Sequence, residues 1–319
     1  MPRESKLPKH LQPMLATLID APFDDPGWVF ETKWDGFRLV ASIEKRSVTL
    51  HSRNGVIVSD SCKPIAKALE KARRDCVIDG ELVAFDAHGI SRFQLLQNAL
   101  RTTTNLHYCV FDLMALDGKD LRGLPLVDRK ERLRTVLPED PLLIYSEHWP
   151  EHGKKLFKEA SSRGLEGIMA KRAKSKYLSG TRTKDGLKIK TGKRQEAVIT
   201  GFTAPRGSRP RFGALVLALR DGKAWRYIGH VGTGFSHAML EELHGKLAKL
   251  RTSASPFAER VKDEAVTTWV KPQLVAEVKF TEWTSAGEMR HPVFLGLRED
   301  KRAEDVVLEK ETHRTARKR

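Results

Sequence analysis

A lysine that leaves an apolar segment straight into an Asp-Gly pair is held as a fixed amine over a cleft. The run Glu31-Thr32-Lys33-Trp34-Asp35-Gly36-Phe37-Arg38 has that form. Such an amine is a nucleophile only when neutral, whereas its ordinary pKa is about 10.4. Neighbouring cations and partial burial favour the neutral form. Lys188 and Lys190, in Leu187-Lys188-Ile189-Lys190, stand two apart, so on a strand their side chains share one face. Directed at the cleft, they would disfavour protonated Lys33 and balance negative charge growing on a phosphate under attack. Plainer roles fit the same residues: a hairpin lysine on a solvated face, and a basic strand lying on a phosphate backbone.

Other runs of chemical weight follow in order. They are Ser52-Arg53-Asn54-Gly55, Asp79-Gly80-Glu81, Tyr108-Cys109-Val110-Phe111-Asp112 and Leu165-Glu166-Gly167-Ile168-Met169-Ala170-Lys171. Pro13-Met14-Leu15-Ala16 opens the series, and Arg290-His291-Pro292-Val293-Phe294-Leu295-Gly296-Leu297-Arg298 closes it. This ordered set resembles the motif series of the covalent nucleotidyltransferases, which comprise polynucleotide ligases and messenger-RNA capping enzymes. With its flanking runs it is most similar to bacterial ATP-dependent DNA ligases, specifically the ligase module of the non-homologous end-joining type. The resemblance extends from about Leu11 to about Lys301, nearly the whole chain. One departure stands out. Relatives often have a Trp shortly before the Lys-x-Lys strand, where this chain has Lys184-Asp185-Gly186. Local packing of that segment is expected to differ, but no reacting group is lost.

The resemblance implies ATP and Mg²⁺ (or Mn²⁺) as cofactors, and nicked or broken duplex DNA as substrate. Lys33 would carry AMP through a phosphoramidate bond, with Lys188 and Lys190 completing the catalytic set. Glu31 and Thr32 fall among the nucleotide-binding residues. Glu81 would hydrogen-bond the ribose, and Phe111 would stack on adenine. Arg38 and Arg53 would face phosphate or ribose oxygens of the nucleotide and the nick. Glu166, with Glu81, is the candidate for the metal, because a hard cation prefers carboxylate oxygens. Arg298, with Arg290 and Lys301, would orient the β- and γ-phosphates when a second domain closes. Three in-line transfers at phosphorus would follow one another: Lys33 takes AMP from ATP, AMP passes to the 5′-phosphate, and the 3′-hydroxyl displaces it. Ordinary roles compete at each position. Glu81 and Glu166 would serve equally as salt-bridge partners, Phe111 as core in an apolar strand, and His291 as a structural residue of its motif.

The elements that must position these residues are short apolar runs separated by turn dipeptides. WVFETKW, RLVASIE, SVTLHS, CVIDGELVAFD and HYCVFDLMAL read as strands, being rich in Val, Ile and Phe. KPIAKALEKARR, DRKERLRTVL and GKKLFKEASSR read as helices between them. Asp-Gly at 35–36, 79–80, 117–118, 185–186 and 221–222 is a turn signal. The basic stretch KIKTGKRQ lacks apolar periodicity and predicts a boundary near residues 190–194, with a hinge near 191–194. After it, EAVITGF, GALVLAL, AWRYIGHV and QLVAEVKF read as strands and MLEELHGKLAKL as a helix, a pattern suited to a five-stranded barrel of the OB type. Gly229 to Gly234 matches no phosphate-binding loop and reads as a strand end and turn. The class is therefore α+β. An antiparallel-sheet nucleotidyltransferase (ATP-grasp-like) domain over 1–192 precedes an OB-fold domain over 193–319 with a basic tail, and no further DNA-binding domain is expected before Leu11.

Charge bears on the partner. The 319 residues hold 57 Lys+Arg against 41 Asp+Glu, a net charge of +16, which favours a polyanion. The excess is spread along the chain, with 33 basic against 25 acidic residues before position 191 and 24 against 16 from there on. No apolar run reaches the roughly 18 to 20 residues of a membrane span. From the charged, Pro-broken N-terminal run no secretory signal is expected. Three scattered cysteines exclude a disulfide framework and a four-cysteine zinc site, including the finger usual in NAD-dependent ligases. A cytoplasmic, nucleoid-associated monomer is expected, with a DNA-end-binding protein or a repair polymerase as the candidate protein partner. An RNA ligase or a GTP-using capping enzyme is the alternative within the superfamily. A non-catalytic OB-type clamp is the alternative outside it, and intact Lys33, Glu81, Glu166, Lys188 and Lys190 argue against that one.

Overall fold

The computed structural model describes residues 12–205 and 210–312, so the N-terminal stretch through Leu11 and the basic tail beyond Thr312 lie outside the described residues. Among these, 12–191 together with 310–312 form one compact unit, and 192–309 form the other. Thr312 belongs to the first unit through its N–H, which donates to Leu18 O at 3.1 Å.

The first unit runs β1 (Leu15–Leu18), β2 (Asp25–Thr32), β3 (Phe37–Glu44), β4 (Ser47–Ser52), α1 (Lys63–Leu69), β5 (Cys76–Val83), α2 (Phe93–Thr102) and β6 (His107–Leu116). It continues with β7 (Lys119–Asp120), α3 (Leu126–Val136), β8 (Leu143–Tyr145), β9 (His148–Glu151), α4 (Gly153–Ser162), β10 (Gly167–Arg172) and β11 (Arg182–Lys190). One sheet has the order β1-β11-β10-β2-β9, and a second has β4-β3-β5-β6-β7 with β8 alongside β6. Most neighbours are antiparallel, as expected; β1 with β11 and β6 with β8 are parallel.

Period-two alternation sorts the first sheet. Trp28 and Phe30 of β2, Ile168 and Ala170 of β10, and Leu187 and Ile189 of β11 share one buried cluster, which Leu156, Phe157 and Ala160 of α4 cover. Fully burying each large apolar side chain contributes roughly 1.5–3 kcal/mol. The opposite face is left for chemistry. Pairing sets Glu31, Met169 and Lys188 in one row across the sheet and Gly167 opposite Lys190 in the next.

In the second sheet β6 is buried almost end to end, which explains its unbroken apolar run. Here the strand reading of CVIDGELVAFD holds and the turn signal of Asp79-Gly80 is corrected, because both residues lie inside β5. The glycine serves close packing: a Cβ at Gly80 would stand 2.6 Å from the Tyr108 ring and 2.7 Å from Cys109 O. Asp185-Gly186 is likewise strand, inside β11, where Gly186 pairs with Lys171 and Asp185 binds Arg172 at 2.8 Å. Asp117-Gly118 does form a turn, with both residues at positive φ. The first predicted helix stops early, at Leu69, and α2 had no counterpart in the sequence reading.

The second unit contains β12 (Lys193–Thr203), β13 (Leu215–Asp221), β14 (Ala224–Val231), α5 (His237–Ala248), β15 (Thr267–Phe280), β16 (Glu282–Trp283), β17 (Met289–Arg290) and β18 (Val293–Leu297). Its main sheet has the order β14-β13-β12-β15-β18. A parallel bridge from Thr233 to Val293, with Phe294 N–H donating to Thr233 O at 2.9 Å, brings the outer edges together into the OB-type barrel. Leu240, Leu243 and Leu247 of α5 enter the barrel core beside Phe212, Ile228 and Val278. Pro272 is accommodated where the β12–β15 register breaks, between Trp269 and Leu274.

Candidate functional site

Lys33 follows the last residue of β2. Its N–H donates to Gly167 O at 3.0 Å, extending the pairing with β10 by one step. That register brings its ammonium against the carboxylate of Glu166, the residue just before β10. The two side chains are 17% and 7% exposed, so the amine is reachable while its partner is enclosed. Because Gly167 also pairs with Lys190, and Met169 with Lys188, both strand lysines lie on the face that bears Lys33. The sequence reading set cations beside Lys33; the structure adds a carboxylate in direct contact.

Behind Lys33 lies a buried ion cluster. Glu31 is 1% exposed and faces two ammonium groups: Lys171 donates to Oε2 at 2.8 Å, and Lys130 lies 2.9 Å from Oε1. The second contact is one of charge more than of aligned hydrogen bonding. Burial pushes the Glu31 carboxyl up, but the two ammonium groups outweigh it and hold the group below its ordinary range. Burial pulls Lys171 down, against the pull of Glu31. The register of β5 with β6 slips so that Asp79 pairs with Asp112 and Gly80 with Val110, leaving Phe111 out of the ladder. Such a bulge re-aims its side chain. The Phe111 ring meets Lys171 Nζ at 4.3 Å and Arg38 Cζ at 4.5 Å from its centre. An apolar plane beside cations suits a base that carries phosphates.

Arg38 and Glu81 are direct cross-strand partners on β3 and β5. The Arg38 guanidinium grips Asp79 in a two-pronged pair at 2.5 and 2.6 Å, and Tyr177 donates its hydroxyl to the same carboxylate at 2.6 Å. Burial opposes the charge on Arg38, yet Asp79 raises its pKa. A second enclosed pair joins Arg129 to Asp112 at 2.7 and 2.9 Å. Arg53 stands in the tight turn after β4, which Gly55 closes by donating its N–H to Ser52 O at 2.9 Å. Thr32 pairs with Ile168 at the end of β2.

Arg298 belongs to the other unit. It is held there by Asp300 at 2.7 Å, Glu277 at 3.2 Å and Glu196 at 3.7 Å. Lys301 also reaches Glu196, at 2.7 Å, and Arg290 pairs with Glu282 at 2.8 Å. His291 follows β17 with positive φ. At Gly186, where relatives often have Trp, the nearest atom to an added Cβ is Ala16 Cβ at 3.8 Å, so the segment leaves room. Among the described residues, no three or more His, Cys, Asp or Glu side chains form a metal cluster.

Sequence reasoning gave no role to Asp79, Asp112, Arg129, Lys130, Ser146 or Lys171. A signal existed for two of them. Arg129 and Lys130 fall three and four residues after Leu126 and three or four before Leu133, the spacing of one helix face, and that face is buried.

Comparison with known proteins completes the picture. Residues 13–190 match the family model described as ATP dependent DNA ligase domain, and residues 208–301 match ATP dependent DNA ligase C terminal region. The multifunctional non-homologous end joining protein LigD of Pseudomonas aeruginosa is 38% identical over 318 residues, covering 96% of this chain and 38% of its own length. A multifunctional non-homologous end joining DNA repair protein LigD of Mycobacterium tuberculosis is 37% identical, covering 94% of this chain and 40% of its own. The chain thus spans about two fifths of the length of these relatives. Among solved structures, a mycobacterial DNA ligase D complexed with ATP and MES matches with a TM-score of 0.71 at 35% identity, over 93% of this chain and 98% of that one. The ligase domain of Mycobacterium tuberculosis LigD matches at 0.52 and 36%, over 94% and 98%.

Proposed function

Because this chain belongs to the ATP-dependent DNA ligase family, we propose that it joins a 5′-phosphate to a 3′-hydroxyl in duplex DNA through AMP carried on Lys33. The observation that carries the reading is the sheet face on which Lys33, Glu166, Lys188 and Lys190 converge. Attack on the α-phosphate uses the neutral amine, so Lys33 must leave the Glu166 carboxylate and lose a proton to solvent; the N–P bond then forms as the bond to pyrophosphate breaks and a second proton leaves the nitrogen. Lys188 and Lys190 offer positive charge to the phosphate on the same face, and a preorganised cation there stabilises charge as it develops. Phe111 offers its plane to adenine, Glu31 and Thr32 the strand edge beside it, and Glu81 an acceptor for ribose hydroxyls. Arg38 and Arg53 are assigned to phosphate and ribose oxygens, and Arg298 to the β- and γ-phosphates.

Glu166, with Glu81, would hold the divalent cation. Carboxylates without a full protein cage suit Mg²⁺, which keeps several waters and shares the nucleotide's phosphates. When bound, the ion balances phosphate charge and aligns the pyrophosphate leaving group. We place the activity in double-strand break repair beside a DNA-end-binding protein or a repair polymerase, on DNA of the cytoplasmic nucleoid. The names of the relatives, which refer to non-homologous end joining, support the repair part of that reading. The test is incubation with α-labelled ATP and metal, followed by a chase with nicked duplex. Label should appear on the wild-type chain, be absent from Lys33→Ala, and leave the protein as the nick closes. Label from GTP in place of ATP, or transfer to nicked RNA alone, would move the chain to another branch of the superfamily.

A further inference from the structure

Lys130 belongs to none of the runs that carry the resemblance, yet its side chain is fully enclosed on α3. Its ammonium faces three acceptors: Glu31 Oε1 at 2.9 Å, Ser146 O at 3.0 Å and Phe111 O at 3.3 Å. Two of its N–H groups donate to the Ser146 and Phe111 carbonyls, and its charge faces the Glu31 carboxylate. An apolar side chain of similar volume would fill the space but leave enclosed oxygens without a donor. Ser146, itself fully buried, also accepts the indole N–H of Trp34 on its hydroxyl at 3.0 Å. Glu31 and Trp34 bracket Lys33, two residues before it and one after.

We propose that Lys130 is a positioning residue for Lys33, fixing the attacking segment from both sides, directly at Glu31 and through Ser146 at Trp34. The proposal rests on the ligase reading and deepens it. An in-line attack tolerates little displacement, and misplacing a reacting atom by 1 Å costs about 100-fold in rate. The link from Lys130 to Lys33 runs through a buried contact at Glu31 and a part-buried one at Trp34, made by the chain's own residues without any nucleotide.

Lys130→Met and Ser146→Ala test this in the full chain, each checked for folding by circular dichroism and thermal unfolding. Two single-turnover rates are compared: lysyl-AMP formation at saturating ATP, and closure of a nick whose 5′-phosphate already bears AMP. The second reaction does not use the Lys33 amine as a nucleophile. Lys130→Met should slow adenylation about 100-fold and Ser146→Ala about tenfold, while closure stays within about threefold of wild type. A merely structural role would lower both rates together, in step with the folded fraction, and would overturn the proposal. Unchanged adenylation in the folded variants would do the same. If Lys130→Met does not fold, Ser146→Ala decides by the same comparison, since it removes only the Trp34 anchor and leaves the backbone acceptor of Lys130 in place. A wild-type chain that forms no adenylate would instead sink the ligase reading, a result distinct from either variant's failure.

Discussion

Charge buried beside Lys33 has to be accounted for residue by residue. Glu31 is enclosed, and its two ammonium partners hold its carboxyl below the ordinary value of 4.5 despite the opposing effect of burial. A carboxyl whose folded pKa is depressed adds stability that is complete above its unfolded value. That contribution is lost as the pH falls through the lower folded value. Glu31→Gln removes it and strands the buried Lys130 and the half-buried Lys171, at an expected cost of about 3–5 kcal/mol near neutrality. The gap between wild type and variant in urea unfolding should therefore be widest near neutral pH and narrow steadily below pH 4.5. A gap that stays constant into acid would mean that Glu31 gains nothing from Lys130 and Lys171. The motif runs gave away most of these residues but not their partners. Lys33 and Glu166 are 133 positions apart in sequence, and only the β2–β10 register makes them neighbours. Lys130 announced itself only as one of two cations on the buried side of a helix, a place where lysine is rarely found.

At the level of elements, strands were legible where alternation or a continuous apolar run was strong, as in β3, β5 and β6. The errors arose where one dipeptide has two physical uses. Asp117-Gly118 is a turn because two successive residues take positive φ. Asp79-Gly80 is strand because the Tyr108 ring crosses the place of a Cβ, a long-range fact invisible to local composition. The helix α2 went unread, although Phe93, Leu96 and Ala99 are its buried positions at helical spacing. Substitution separates the two kinds of glycine. Gly80→Ala forces a methyl between β5 and β6, and such overpacking costs typically 1–3 kcal/mol. It should also disturb the neighbouring Glu81 and the bulge at Phe111, raising the KM for ATP in adenylation. Gly118→Ala meets nothing within 4 Å and should cost only about 1 kcal/mol, through φ alone. Urea denaturation ranks the pair, and an equal or reversed order would show that β5 and β6 can part at Gly80 without penalty.

For the molecule as a whole, the decisive quantity is where its charge lies. The excess of +16 is spread over both halves of the sequence, whereas the carboxylates paired at Lys33 and around Glu31 are enclosed. These two populations respond differently to salt. Contacts between exposed cations and DNA phosphates release counterions, so log affinity falls linearly with log salt at a slope near −0.9 per phosphate neutralised. Buried pairs are screened far less than exposed charges at the same separation. If six or more phosphates are held, affinity for a nicked duplex should drop roughly 1,000-fold between 50 and 200 mM salt. Lysyl-AMP formation over the same range should change much less, because a nucleotide seated among enclosed groups feels little of the bulk ions. Fluorescence anisotropy on a labelled nick and single-turnover adenylation, run in matched buffers, measure the two slopes side by side. Parallel slopes would place the nucleotide among surface charges and remove the enclosed face as its site, while a flat DNA slope would deny the basic surface its part in holding the substrate.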